Sequence, residues 1–292
     1  MGVIMMNSQP NISLWTKFSN NRAWMKFRAN PIGWFGLCII VLFALMAIFA
    51  PLLAHFDPTK TNWMAVRQAP STMYWLGTDE IGRDIYSRLL FGARASLMAG
   101  FFSVFIAFII GVPLGMLAGY CGGKIDSIIS RCTEAIMAMP SLILAIALAA
   151  ALGASLTNAM LAIGIANVPL FIRLTRGQVM TVKYMEYVEA AYSVGTSHLG
   201  ILWKYIFPNI LAPLFIQVTL SLASAIIAES SLSFLGLGQQ PPAASWGSML
   251  NSAKGFLTQA PWMAIWPGMA IFVIVLAFNL FGDALRDALD PK

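Results

Sequence analysis

Charge is absent from four long stretches of this 292-residue chain, and that distribution limits what it can fold into. Residues 29–56, 95–123, 135–172 and 255–282 contain no Lys, Arg, Asp or Glu. A helix needs about 20 apolar residues to cross the ~30 Å hydrocarbon core of a bilayer. With no water there to satisfy free backbone groups, a chain crosses either as helices or as a closed barrel. Runs this long are the helical signature. The first two runs hold one span each, at 33–54 and 95–120. The third, 38 residues long, exceeds one span and fits two, at 135–151 and 157–175, joined by a turn at Gly153-Ala154-Ser155. A fifth span is expected at 209–228 and a sixth at 264–282. The expected fold class is therefore an all-α integral membrane protein with six transmembrane helices. Only 10% of residues are charged, against about 25% in soluble proteins.

The segments between spans carry the rest of the information. Residues 1–30 read as a tail and an interfacial helix, with Trp15, Phe18, Trp24 and Phe27 set among Lys17, Arg22, Lys26 and Arg28 at 12–28. Span one, 31–56, leads into a polar segment at 57–94. There Thr78 is expected to cap a helix with Asp79 and Glu80 in its first turn. Asp79–Arg83 and Asp84–Arg88 would form i,i+4 ion pairs on a solvated surface. In span two, Gly111, Gly115 and Gly119 recur every four residues, a face for close helix packing. Lys124, Asp126, Arg131 and Glu134 mark a short loop.

The longest charged interval of the second half includes residues 176–208. Met180, Tyr184, Tyr187, Val188, Ala191 and Tyr192 fall on one helical stripe, beside Lys183, Glu186 and Glu189. Gly195 ends that helix. Thr196 or Ser197 caps a second one, carrying Leu199, Leu202 and Ile206 and stopping before Pro208. The pattern alone describes two short amphipathic helices joined at a glycine, with one apolar and one wet side. In span five, Gln217, Ser221 and Ser224 form a polar stripe that either lines a pathway or bonds a neighbouring helix. Glu229 follows at the span's end, where a carboxylate is wet or faces a polar pathway; the wet end is the favoured reading.

With the N-terminus inside, twelve of the 18 Lys and Arg residues fall on the inner side and six on the outer, in line with the positive-inside rule. Five of those six lie in 57–94. The basic residues sit between spans rather than in one patch, which argues against a nucleic-acid partner. No phosphate-binding loop, H-E-x-x-H or G-x-S-x-G motif is present, and no catalytic or metal-ligating constellation is expected. His55 and His198 read as boundary or loop residues. Cys38, Cys121 and Cys132 read as free thiols.

Four blocks, 77–97, 189–208, 231–250 and 277–292, carry a resemblance. Glu189-Ala190-Ala191, Gly195 four positions after Ala191, and Pro208 thirteen after Gly195 are similar to the EAA motif of ABC-importer permeases. Tyr205 stands where that family usually has isoleucine, with Ile206 beside it. Together the blocks resemble the second permease subunit of dipeptide, oligopeptide and nickel importers.

The resemblance implies a type I importer-like fold in the bacterial inner membrane, with both termini cytoplasmic and a transmembrane domain over 95–290. It implies that the 176–208 loop is a cytoplasmic coupling element through which Glu186, Glu189, Ala190, Ala191, Gly195 and Pro208 engage an ATPase. The implied partners are a paralogous permease, two ATP-binding subunits, a periplasmic or lipid-anchored substrate-binding protein, and membrane lipid. ATP and Mg2+ would sit on the ATPase subunits, and this chain would bind no cofactor. Cargo stays open between peptides, glutathione, nickel and other metal chelates. An ion-gradient-driven secondary transporter is the alternative of another class.

Overall fold

A computed structural model describes residues 22–289. Of the expected interfacial helix at 12–28, the part before residue 22 lies outside them; Arg22–Arg28 forms a helix, α1. Asn30 then caps α2 (Pro31–Ile48), its side-chain oxygen accepting from the Ile32 and Gly33 amides. Pro31 opens that helix, where its missing N–H has no partner to lose. One more helical turn, α3 (Ala50–Leu53), ends the span. The bundle continues with α4 (Ile85–Cys121), α5 (Gly123–Met137), α6 (Ser141–Leu152) and α7 (Leu156–Val182). Next come α8 (Glu186–Ser193), α9 (His198–Ile201) and α10 (Phe207–Phe234). The short α11 (Trp246–Ala253) and the last span, α12 (Trp262–Leu289), complete it.

Five helical runs are long and apolar enough to cross a membrane: α2, α4, α7, His198–Phe234 and α12. The remaining crossing differs from expectation. Residues 124–134 are not a loop but part of α5, which meets α6 at 86°. Pro140 sets the break, because it lacks an N–H and keeps the residue before it out of the helical region. At 1.5 Å per residue α6 is roughly 18 Å long, short of a bilayer core by itself.

The centre of the bundle is the seam between α4 and α7, which pack along much of their length. The glycine face seen in the sequence makes that seam. A Cβ on Gly111 would lie 2.9 Å from the Val168 carbonyl, one on Gly115 2.7 Å from the Ile172 carbonyl, and one on Gly119 2.8 Å from the Arg176 carbonyl. Lipid is as apolar as leucine, so van der Waals contact and hydrogen bonds between spans hold the bundle together. Phe171, Ala159 and Ala162 are fully buried beside the seam, whereas Phe101, Phe105 and Ile109 on α4 are exposed.

At the start of α4 the expected helix from Thr78 is absent. Residues 78–84 form a turn, with Gly82 at φ +80, and the helix starts one residue after its cap, Asp84. Asp84 takes that role because its carboxylate accepts from both the amide and the hydroxyl of Ser87, at 2.8 and 2.6 Å. Thr78 instead donates its hydroxyl to the Ala65 carbonyl and accepts from the Gln68 amide. Asp79–Arg83 does pair, at 2.6 Å, but within this turn and buried rather than solvated. The Asp84–Arg88 pair does not form. Arg88 lies 3.4 Å from Asp79 and donates to the carbonyls of Pro58 and Pro242, fastening three segments at this end.

Gly115→Ala should therefore weaken the bundle by roughly 1–3 kcal/mol, the usual cost of overpacking. Gly177, also in α7, has nothing within 4 Å of the position its Cβ would take, so Gly177→Ala is the control. Thermal unfolding in detergent should show a lower midpoint for the first variant only; equal midpoints would remove the seam from its central place.

Candidate functional site

The loop at the far end of α4 is built from two arms. Residues 183–185 turn the chain out of α7, and α8 places Glu186 and Glu189 in its first turn, beside the positive end of the helix dipole. Val188 and Ala191 are buried and pin α8 to the bundle. The expected apolar stripe is shorter than the sequence indicated. Met180 and Tyr184 precede α8, and Tyr187 and Tyr192 are exposed. Glu186, Glu189 and Ala190 all face out.

Gly195 ends α8 at φ +79, a left-handed conformation that penalises any residue with a Cβ. The amide of Thr196 reaches back to the Ala191 carbonyl at 3.1 Å and that of Gly195 to Tyr192 at 2.9 Å, a Schellman closure. Ser197 caps the second arm by accepting from the Gly200 amide. This arm does not stop before Pro208. It runs from α9 through a π-turn, Leu202–Ile206, directly into α10. The wider turn accommodates a proline that has no N–H to give the preceding helix, and the Asn209 side chain satisfies the Tyr205 carbonyl at 2.6 Å. Ile201, Ile206 and Ile210 form the buried face, while Tyr205 is half-buried and Leu199 is exposed.

Three rings lock the arms together. The Tyr120 hydroxyl, in the last turn of α4, lies 2.5 Å from the Tyr192 hydroxyl on α8 and 2.8 Å from His198 Nδ1 on α9. The Lys183 ammonium donates to the Gly119 carbonyl at 2.9 Å, and the Arg176 guanidinium holds the Asp126 carboxylate of α5 with two hydrogen bonds. Sequence reasoning missed Tyr120, which lies 72 positions from Tyr192 at the end of an apolar run. His198, read as a plain loop residue, belongs to the same lock. Tyr184, Val194, Leu199 and Trp203 of the loop are exposed, an apolar surface left uncovered by the described residues.

The span-five candidates do not share one face. Gln217 donates to Ser221 Oγ at 3.1 Å, and Ser224 lies one turn further on, beside a cavity of about 120 Å³ shared with Ser141 and Asn167. Glu229 is twelve positions from Gln217, which at 3.6 residues per turn rotates it about 120° away. Glu229 is fully buried, correcting the expectation of a wet end. Its two carboxylate oxygens accept from Ser96 of α4 at 2.9 Å and from Ser233 at 2.6 Å. Ser96 Oγ also accepts from the Trp246 amide, so the carboxylate joins α4, α10 and α11. Among the described residues no group of three or more His, Cys, Asp or Glu side chains could hold a metal ion.

Comparison with known proteins places this architecture. Residues 111–292 match the family model of the binding-protein-dependent transport system inner membrane component, and residues 18–70 match the N-terminal transmembrane domain of oligopeptide transport permease C. The chain belongs to the binding-protein-dependent inner-membrane permeases. The dipeptide transport system permease protein DppC of Alkalihalophilus pseudofirmus is 46% identical over 98% of this chain and 94% of its own length. The di/tripeptide permease DppC of Pseudomonas aeruginosa is 44% identical over 92% and 91%. The glutathione permease GsiD of Pectobacterium atrosepticum is 44% identical over 88% and 85%. A permease chain from the inward-facing MetNI methionine ABC transporter shares the fold, with a TM-score of 0.58 over 70% of this chain and 97% of that one, at 17% identity. The chain is thus a permease component of a binding-protein-dependent transport system, with a fold shared by an ABC transporter.

Tyr120→Phe should loosen the lock without touching the buried isoleucines. Losing one shared hydroxyl is worth roughly 1 kcal/mol, or about fivefold in local opening. Amide exchange at 192–200 should quicken by about that factor while α10 stays unchanged. Unchanged exchange at 192–200 would mean that the three rings do not hold the arms.

Proposed function

We propose that this permease forms half of a transmembrane pathway for short peptides and that its 186–206 loop couples the pathway to cytoplasmic ATPase subunits. The observation that carries the reading is the loop's construction. It is fixed to the spans by Val188, Ala191, Ile201 and Ile206 and leaves Tyr184, Val194, Leu199 and Trp203 exposed. A rigid element with an uncovered apolar face suits docking against a second protein. In this reading Glu186, Glu189 and Ala190 meet the ATPase, Ala191 seats the helix, Gly195 makes the bend and Pro208 opens span five. ATP and Mg2+ reside on those subunits, a paralogous permease supplies the other half, and a periplasmic or lipid-anchored protein delivers cargo.

The orientation follows from where ATP is found: the loop lies in the cytoplasm, as do both termini, and the 54–84 end faces out. The five basic residues of 57–94 are less of an objection than their number implies. Arg83 and Arg88 are buried and share the carboxylates of Asp79 and Glu80. The peptide cargo is supported by relatives named for dipeptide and di/tripeptide transport; relatives named for glutathione transport support the second reading. An ion-gradient mechanism needs an ionisable group free to exchange with the pathway, and Glu229 has both oxygens engaged by serines.

Glu189→Lys tests the coupling role. The side chain is exposed, so the assembled complex should be retained. Peptide uptake into proteoliposomes should fall about tenfold, the scale of removing one interfacial charge contact, while ATP hydrolysis continues. Wild-type uptake in that variant would refute the role.

A further inference from the structure

Among the cations of the 54–84 end, one is exposed and borders a groove without a partner among the described residues. Arg83 and Arg88 are held by carboxylates and carbonyls, and Arg67 lies over the Phe256 ring at 4.7 Å. Lys60 stands on an exposed turn. Arg94, at the boundary of the charge-free stretch of α4, has no ion-pair or hydrogen-bond partner among the described residues.

Arg94 lines a groove of about 750 Å³ between α4, the end of α3 and the 239–244 segment. Phe56, Phe91 and Met98 give it apolar walls, and Asp57 is its carboxylate. Asp57 Oδ1 accepts both the amide and the hydroxyl of Thr59, at 2.8 and 2.6 Å, leaving Oδ2 uncommitted. Those bonds hold the Asp57 carboxyl below the usual carboxylate range, so it is ionised at neutral pH. The groove therefore carries one open cation and one open anion on apolar walls, at a size suited to a small molecule. A guanidinium takes a carboxylate through two parallel hydrogen bonds.

We propose that this groove is a transient cargo site in which Arg94 takes a carboxylate and Asp57 faces an ammonium, so that it accepts zwitterionic molecules such as short peptides. The proposal rests on the cargo class argued under the proposed function. Glutathione carries the same two groups and fits the same chemistry, whereas a bare metal cation does not.

The test uses the complete transporter in proteoliposomes. Uptake of radiolabelled dialanine is measured against the concentration of dialanine-loaded binding protein, for wild type, Arg94→Gln, Arg94→Lys and Asp57→Asn. Arg94→Gln should lower the maximum rate about tenfold, as expected for loss of a bidentate charged contact, with the half-saturating concentration of binding protein unchanged. Arg94→Lys should keep a substantial share of the rate, and Asp57→Asn should lower it less than Arg94→Gln does. A wild-type maximum rate for Arg94→Gln overturns the site. So does a loss confined to the half-saturating concentration, which would make Arg94 a docking contact for the binding protein. Should Arg94→Gln fail to assemble, Asp57→Asn decides alone, and an unchanged maximum rate overturns the proposal. Absence of dialanine uptake in wild type overturns the peptide reading instead; the same variants are then compared with glutathione, where no loss overturns the site.

Discussion

The close approach of α4 and α7 is the contact on which the rest of the structure depends. Helices in lipid gain nothing from hiding apolar side chains from one another's surroundings, because lipid is equally apolar. They gain from contact area, and contact area requires that backbones meet. Gly111, Gly115 and Gly119 let α4 meet the carbonyls of Val168, Ile172 and Arg176 directly. Everything at the coupling end is then referenced to this seam. The Lys183 ammonium binds the carbonyl of Gly119, the last seam glycine, and Tyr120 is the next residue along.

The two ends of the bundle are held by different physics. At the 54–84 end, buried charge does the fastening: Arg88 reaches Asp79, Pro58 and Pro242, and Asp84 caps the long helix. Such a network is most favourable when every member is satisfied, and here one buried oxygen of Glu80 is left without a partner among the described residues. At the coupling end the fastening consists of caps, three rings and a line of buried isoleucines. The Arg176–Asp126 ion pair and the Lys183 ammonium add to them, and the outward surface carries exposed Tyr184, Val194, Leu199 and Trp203 together with Glu186 and Glu189. The coupling end thus presents an apolar face that the described residues leave uncovered.

What the sequence discloses follows from the range of the forces involved. Span count, the glycine face, the bend at Gly195 and the cap at Ser197 all depend on neighbours within a turn or on solvent class, and periodicity and composition report both. The sequence points to Thr78 as the cap, six residues before the observed one, because Thr78 is drawn into tertiary bonds with Ala65 and Gln68 while Asp84 finds Ser87 three residues on. The direction of Glu229 depends on its rotation relative to Gln217 and on Ser96, 133 positions away. Tyr120 joining Tyr192 and His198 is likewise a tertiary fact with no local trace. The right-angle bend at Pro140 was half visible: the proline marks a break, but its angle depends on where α5 finds packing.

These contacts give the proposed coupling a physical route. α4 carries Tyr120 in its last turn and Ser96 about a third of the way from its start, roughly 36 Å apart at 1.5 Å per residue. Tyr120 holds both arms of the loop, while Ser96 links Glu229 to Trp246 toward the opposite end. A rod that transmits displacement must not bend between its grips, yet α4 contains Pro113, which removes one backbone hydrogen bond. Pro113 faces away from α7, and the buried seam glycines Gly111 and Gly115 lie on either side of it. The weakened turn is therefore splinted by the neighbouring helix at the place where the two backbones are closest. Under the proposed role, α4 and α7 move as one body, and a displacement at the loop reaches the 54–84 end through the seam rather than through α4 alone.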